Sequence, residues 1–570
     1  MRKLLSLSLV LMLVMSAFTV SVAEEPTVLT IYTRGSSTNI GTGVFAEAEK
    51  RLNVKLEYTY FDDDSFAAML AGGDLGDIIL SGEDIPSMLA SGLALDVNPY
   101  IDEHMPNLKI GAADAAMNVC RELMSPDGGL YLIPTVVGLH LPIVGGLDPR
   151  VYRGYVVRWD YYKELGCPEI NNDDDYIAVL QQMLENHPTN EDGTPNLLYG
   201  CRSGAFNMGA YRAAFKGDVA LNPWGNYQYN SNIYTNEVYD GYLDVEHSGY
   251  WNNMVFLNKI YRLGLLDEDC FTMTSDEYRA KLSAGRYMGV MDANDALYQA
   301  HVEEDPNTDI TYMVVPSKNM VNYANINLIL GNMPYNYMMI SKNSKNIEAA
   351  CSFINLMYDL DFMRFAYSGE QGVDWDYDED GVPHMTETAI QEIARQDPKW
   401  ANGEGNGGHG IRVNNLFGYN PAVLHTDGYP LMLTMQRETA IAAQQPRMLE
   451  ICKAYNVEYY ADAYAAVEKD FRNDMGDTIA SLINTPLDDR RILEACQDVL
   501  EAGLAPMIMS ESDEEFAANQ AEILAEIEAL GEAEVFERYK VEFDRVKDIM
   551  IPQQIAAQHA NGLELYPGLE

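Results

Sequence analysis

From Val28 to Leu80 the apolar positions switch back and forth between two periods. Val28–Thr33 is a β-branched apolar run, and Val44, Phe45, Ala48 and Leu52 then recur at helical spacing inside Gly43–Asn53. Val54–Phe61 alternates like a strand, Phe66–Leu70 is a short helix, and Asp77–Leu80 is another buried strand. A period of two predicts strands and a period of 3.6 predicts helices. Strand, helix, strand, helix, strand with short connections predicts a parallel, doubly wound sheet with right-handed crossovers. Ligands of such sheets sit beyond the carboxyl ends of the strands. That places Arg34–Thr38, Asp62–Asp64 and Ser81–Asp84 on one rim. Near the other end of the chain the pattern turns helical. Ser512 and Glu515 make a capping box, Phe516, Ile523, Leu524, Ile527 and Leu530 repeat at helical spacing, and Gly531 ends the run.

The first residues read differently. Met1-Arg2-Lys3 is a short basic start, Leu4–Val14 is an apolar core broken by two serines, and Ser21-Val22-Ala23 offers small residues for cleavage. This is the pattern of a secretory signal over residues 1–23, too short for a spanning helix. No other apolar run approaches the ~20 residues a span requires, so the mature chain is expected outside the cytoplasm, in a periplasm or at a cell surface. Its first cysteine is Cys120, so no lipidation cysteine follows the signal. Removing residues 1–23 takes away Arg2, Lys3 and no acid, which leaves 86 acidic against 36 basic side chains and a formal charge of −50. Such a field repels phosphate backbones and anionic lipid, setting aside nucleic acid and membrane surfaces as partners. The acids are interspersed and 47% of residues are hydrophobic, the mark of a solvated globule of two to four domains. Seven widely spaced cysteines give neither a disulfide framework nor a CxxC metal pair.

Several phrases resemble the family 1 extracellular solute-binding proteins of ABC importers. They are Gly73-Asp74-Leu75-Gly76-Asp77-Ile78-Ile79, where Gly76 replaces the usual Pro, and Gly92-Leu93-Ala94-Leu95-Asp96-Val97-Asn98-Pro99-Tyr100-Ile101. Gly129–Pro134 resembles the first crossing between lobes. Gly154-Tyr155-Val156-Val157-Arg158-Trp159-Asp160-Tyr161-Tyr162-Lys163-Glu164-Leu165-Gly166 matches the family's strand running into a helix. Ala284–Met291, Tyr335–Ala350 and Tyr367–Trp375 follow the same family order, with Gln371 where a Glu is common. The stretch Val136–Arg153 reads as an insertion at the lobe junction. The resemblance implies a two-lobed, periplasmic-binding-protein-like α/β fold, each lobe a doubly wound sheet with flanking helices and the ligand cleft between them. It divides the chain into a signal (1–23), lobe 1 (24–135), lobe 2 (136–320), a return to lobe 1 (321–368) and a second part of lobe 2 with C-terminal helices (369–570).

Candidate chemistry is sparse. Asp376, Asp378, Asp380 and Glu387 stand at positions 1, 3, 5 and 12 of a calcium-loop pattern, with Gly381 at position 6. No helical pattern precedes Asp376 and Pro383 removes a backbone donor, so a solvated turn is the stronger reading and calcium the alternative. Asn190–Asn196 is a thinner candidate of the same kind, interrupted by Pro195. Gly403–Gly408 fits GxGxxG but follows no strand, and Glu404 would repel a phosphate. No GxxxxGK[ST], HExxH or GxSxG is present, and nine scattered His show no metal spacing. The more telling bias is aromatic: 37 Tyr and five Trp beside 16 Phe, many in polar surroundings. Sugar rings stack an apolar CH face on such residues and place hydroxyls on carboxylates, amides and Arg. The ligand contacts expected are Arg34, Glu83 and Asp84 on the first rim, with Trp159, Trp224, Trp251 and Trp375 facing them. Packing and ion pairs are the competing roles for all seven.

The sequence thus reads as a monomeric solute-binding subunit of an ABC importer that captures a carbohydrate, most plausibly an oligosaccharide, and hands it to a membrane permease. It would need no cofactor and perform no catalysis. A peptide or other polar solute keeps the fold and changes the ligand. A secreted carbohydrate-active enzyme with paired carboxylates changes the class.

Overall fold

The computed structural model describes residues 25–34, 43–81, 85–138, 154–190, 192–201, 218–225, 227–232, 235–291, 312–318, 337–395, 397, 400, 416–444, 446–459, 462–463 and 475–560. The expected signal, residues 1–23, and the Gly403–Gly408 motif lie outside them.

Among the described residues fourteen short strands fall into four sheets. The first sheet has the order β2-β1-β3-β12-β4, from β1 (Thr27–Arg34), β2 (Val54–Phe61), β3 (Ile78–Ser81), β12 (Tyr337–Ile340) and β4 (Ile133–Pro134). As the periodicity predicts, β1 runs parallel to β2 and β3; β12 returns antiparallel between β3 and β4. Helices Gly43–Leu52 and Asp63–Gly72 connect the parallel strands. The second helix starts three residues before its apolar pattern, because Asp62 caps it. The Ser65 amide donates to Asp62 Oδ1 at 2.9 Å, and the Ser65 hydroxyl satisfies the Asp62 backbone in return.

The second sheet has the order β11-β5-β10-β6, from β5 (Val156–Arg158), β6 (Leu197–Gly200), β10 (Tyr287–Val290) and β11 (Tyr312–Val314). Here β10 is parallel to β6, while β5 is antiparallel to both its neighbours. Two mixed sheets, each flanked by helices, form the two lobes of an α/β protein.

Two smaller sheets follow, of which the periodicity predicts neither, although a turn is expected at the second. A three-stranded antiparallel meander joins β7 (Asp218–Trp224), β8 (Tyr227–Asn232) and β9 (Val238–Asp240). Helix Leu487–Ile508 packs on it, and the 29-residue helix Glu532–Ala560 meets β9. That last helix is ~43 Å long at 1.5 Å per residue. It was assigned wholly to lobe 2, yet it also packs along Ala112–Leu123 of lobe 1, where Gln553 Nε2 donates to Glu122 Oε1 at 3.5 Å. The fourth sheet is a hairpin of β13 (Trp375–Tyr377) and β14 (Pro383–Met385).

The expected helix after Ser512 spans Asp513–Ala529, with Ile523 and Ile527 buried and Gly531 left-handed beyond its end. Only half of the capping box forms. Ser512 Oγ accepts from the Glu515 amide at 3.1 Å, but Glu515 turns to the Glu511 amide at 2.7 Å.

Candidate functional site

The carboxyl ends of β1, β2 and β3 share an edge with Pro134 of β4 and the amino end of β12; Tyr337 pairs with both Ser81 and Pro134. In the second lobe the carboxyl ends of β6, β10 and β11 lie together with the amino end of β5. There the Met291 amide reaches Gly200 O at 3.2 Å and the Val315 amide reaches Tyr155 O at 2.8 Å. The chain passes between the sheets from Pro134 to Val156 and from Val314 to Tyr337, so both crossings run from one of these edges to the other. Strand carboxyl ends at a crossover are where α/β sheets bind ligands. The candidate site is therefore the cleft between the two edges.

A third strand of contacts secures the junction. Beyond β4 the Val136 and Val137 amides donate to Phe417 O and Gly418 O at 2.8 and 2.7 Å, and the Asn420 amide returns to Val137 O at 2.8 Å. Gly418 is required there, since a Cβ would lie 2.5 Å from Met357 O. Val136 itself has φ +57°, a left-handed conformation that costs a β-branched residue of order 1–3 kcal/mol. The strain sits where the chain leaves lobe 1.

Arg34 is the last residue of β1, paired with Phe61, so its backbone is on the predicted rim; its side chain, with Glu83 and Asp84, lies outside the described residues. Asp62, also on that rim, is committed to capping. Trp224 pairs with Tyr227 at the tip of the β7–β8 hairpin, where the Thr485 hydroxyl donates to Pro223 O at 2.6 Å. The hairpin tip thus abuts the C-terminal helical layer.

The other three tryptophans are packed side chains. Trp159 is 2% exposed, and its indole N–H reaches Glu450 Oε2 at 3.4 Å. Trp251, also 2% exposed, donates to Tyr242 O at 2.8 Å and packs edge-on against Tyr250. Trp375 donates to Gly369 O at 3.0 Å within a small cluster with Met385, Ala389, Trp400 and Leu433. The structure does not gather these rings onto one wall. Each has its polar edge satisfied by a local partner, as buried indoles require.

The calcium-loop pattern also resolves into ordinary structure. Residues 376–387 form the β13–β14 hairpin and the first residue of a helix. Asp378 Oδ1 accepts the Asp380 and Val382 amides at 2.9 and 2.8 Å, and Asp378 Oδ2 pairs with His384 at 2.9 Å. Asp376, Asp378, Asp380 and Glu387 do not converge: among the described residues no three His, Cys, Asp or Glu are grouped to hold a metal ion. The spacing is met because a hairpin turn also favours Asp and Gly. Asn190–Asn196 is likewise a turn, closed by the Asn190 amide on Thr194 O at 2.8 Å.

The motifs that carried the resemblance prove to be scaffold. Asp77 Oδ2 accepts the Thr30 amide and hydroxyl at 2.8 and 2.9 Å, while its Oδ1 accepts the Ser344 hydroxyl at 2.6 Å, tying β1, β3 and the turn after β12. Gly76 has φ +65°, a conformation closed to Pro, and a Cβ there would lie 2.9 Å from the Tyr32 ring. Asp96 Oδ1 joins the Asn98 and Leu130 amides at 3.0 and 2.9 Å. Arg158 is buried and grips Asp160 through Nε and Nη2 at 2.9 and 2.8 Å; its Nη1 reaches Asn190 Oδ1 at 2.9 Å and the Gly285 carbonyl. One guanidinium thus joins three separated phrases.

No family model matches the chain. A relative by sequence, the fructooligosaccharide ABC transporter substrate-binding protein FusA of Streptococcus pneumoniae serotype 4, is 24% identical over 251 residues. That match covers 42% of this chain and 44% of FusA, so the chain spans less than half the length of the curated relative it matches. Solved structures match almost end to end. The HMO-binding, ABC-transporter-associated solute-binding protein of Bifidobacterium longum infantis superposes with a TM-score of 0.58 at 16% identity, covering 91% of this chain and 99% of that one. An EF-hand mutant of FusA in complex with fructo-nystose gives 0.54 at 17% identity over 92% and 100%, and the alginate-binding protein AlgQ2 without calcium ion gives 0.54 at 15% identity over 91% and 98%. The chain has the two-lobed α/β fold of the solute-binding proteins of ABC transporters.

Proposed function

We propose that the chain is the extracytoplasmic solute-binding subunit of an ABC importer, and that it captures an oligosaccharide in the cleft between its lobes and passes it to a membrane permease. The observation that carries this reading is the nearly complete superposition on the HMO-binding protein, 91% of this chain on 99% of that one, with FusA and AlgQ2 beside it. Each of these proteins is named for binding a glycan. The sequence relative is named for fructooligosaccharides.

The mechanism follows from the junction. Two lobes, whose sheets the chain joins by passing between them twice, can separate or approach. A ligand touching both edges stabilises the closed form, and only its differential affinity for that form shifts the equilibrium. Capture needs no bond broken in the ligand. Export rests on the signal pattern at residues 1–23, and among the described residues no helix is long and apolar enough to cross a membrane. Neither calcium nor another cofactor is required by this reading.

A thermal-shift screen of the purified chain against mono- and oligosaccharides and short peptides, with and without calcium, tests it. A native-state ligand at 100 times its dissociation constant adds ~2.7 kcal/mol. A clear rise with one oligosaccharide series supports the proposal. A rise with peptides alone would keep the fold and discard the sugar.

A further inference from the structure

The long helix Glu532–Ala560 begins with a carboxyl group sealed inside the protein. Glu532 is 0% exposed, and its side chain lies against Asp240 of β9 and the hydroxyls of Tyr227 and Tyr229 of β8. Neither Glu532 oxygen, nor either tyrosine hydroxyl, has a regularly placed hydrogen-bond partner. Asp240 is also buried. Its Oδ1 already accepts the Tyr242 and Leu243 amides at 2.8 and 2.7 Å, which leaves Oδ2 as the remaining acceptor. As two carboxylates, Glu532 and Asp240 offer each other no donor and repel across a dry gap. With one proton between them, Glu532 donates to Asp240 and the arrangement is satisfied.

Among the described residues none of the groups that act on Glu532 is a cation. Tyr242 follows β9, Cys496 comes from helix Leu487–Ile508, and Tyr539 lies two turns along the same helix against Tyr229. Arg538, the nearby base, is held by Asp489 at 2.6 and 3.2 Å. We propose that Glu532 and Asp240 share a single proton, and that the resulting acid–carboxylate hydrogen bond is a pH-sensitive latch fastening the lobe-2 end of the last helix to the β7–β9 sheet. The other end of that helix rests on lobe 1, so the latch anchors an element that touches both lobes.

Burial, with the Asp240 contact second, pushes the Glu532 carboxyl up to about 9 from 4.5. The native state therefore binds a proton that the unfolded chain releases above about 4.5. The stability this group contributes is complete below about 4.5 and is lost as pH rises through about 9, roughly tenfold in the folding equilibrium per pH unit.

Glu532→Gln is the decisive variant, because its amide donates to Asp240 at every pH. Urea unfolding between pH 5 and 10 should show the wild type losing stability relative to Glu532→Gln at up to tenfold per unit, levelling off above about 9. Hydrogen exchange across residues 532–545, corrected for intrinsic rate, should rise above pH 9 in the wild type and stay flat in the variant. Identical pH dependence in the two proteins overturns the latch. Infrared spectroscopy of the wild type decides independently of whether the variant folds. A protonated-carboxyl carbonyl band at pH 7 that vanishes above pH 9 supports the shared proton, and its absence at pH 7 overturns it.

Discussion

Replacing Asp427 by Asn removes one charge from a buried ion pair while keeping its shape. Asp427 is 16% exposed and faces Arg364, whose side chain is 2% exposed on helix Leu360–Ser368. Arg364 Nη1 and Nη2 both donate to the Asp427 carboxylate, Nη2 at 3.0 Å, and Nη2 also reaches Tyr429 O at 2.9 Å. The guanidinium stands 5.4 Å from the Trp375 ring. The Tyr377 hydroxyl and the Tyr429 amide donate to Asp427 at 2.8 and 3.0 Å, and His425 Nδ1 stands 3.5 Å from the same carboxylate. Burial alone would raise this carboxyl; the Arg364, Tyr429 and Tyr377 donors outweigh it and take it from 3.8 down to about 2. A group depressed in this way stabilises the fold above its unfolded value, and that stability is lost as pH falls through about 2. The gap is worth roughly 2.4 kcal/mol at pH 6 and, on the same titration, about 1.3 kcal/mol at pH 3. Asp427→Asn is therefore expected to lower stability by about 2.4 kcal/mol at pH 6 and by about half as much at pH 3. Urea unfolding followed by tryptophan fluorescence measures both, with Trp375 as a reporter beside the pair. A difference that stays constant between pH 6 and pH 3, or none at pH 6, would refute the argument.

Other substitutions probe the scaffold. Arg158→Ala strips the partner from Asp160 and breaks the link to Asn190, and should cost about 3 kcal/mol or more in urea unfolding; Arg158→Lys should recover only part of it, because an ammonium cannot span the fork. Gly76→Ala forces a left-handed alanine against the Tyr32 ring and should cost at least about 1–2 kcal/mol by the same assay. Ser512→Ala should cost about 1 kcal/mol and speed amide exchange in the first turn of Asp513–Ala529, most of all at Glu515.

The parallel strands β1, β2 and β3 are legible because the edge strand β2 alternates buried and exposed positions, while the inner strand β3 is a continuous buried apolar run. The β7–β9 meander was not legible. Its strands read Asp-Val-Ala-Leu-Asn-Pro-Trp and Tyr-Gln-Tyr-Asn-Ser-Asn, polar sequences whose burial comes from helices far along the chain. The tyrosine bias is visible in the composition, but not which of the rings pack inside. Seventeen tyrosines among the described residues are buried, including Tyr227, Tyr229, Tyr242 and Tyr250, which stack on one another in lobe 2. Composition counts rings without saying which way they face, so a pool that suits sugar stacking serves equally to fill a core. The rim at Arg34 and Ser81 can be placed from topology alone, since parallel strands put their carboxyl ends on one edge. At Asp376–Glu387 the Pro383 signal favoured a turn over the calcium-loop spacing, and the residues form a hairpin. At Asp77, Asp96 and Arg158 the motifs that carry the resemblance hold the scaffold together, so they point to the fold rather than to ligand contacts.

The account stands or falls on capture without chemistry. Isothermal titration of the purified chain with the oligosaccharide series that gives the largest thermal shift, followed by chromatography of the recovered glycan, tests this most directly. Saturable one-to-one binding with the glycan returned at its original length is the predicted result. Recovery of shortened glycan, or heat that continues with turnover after saturation, would contradict it and make the protein an enzyme.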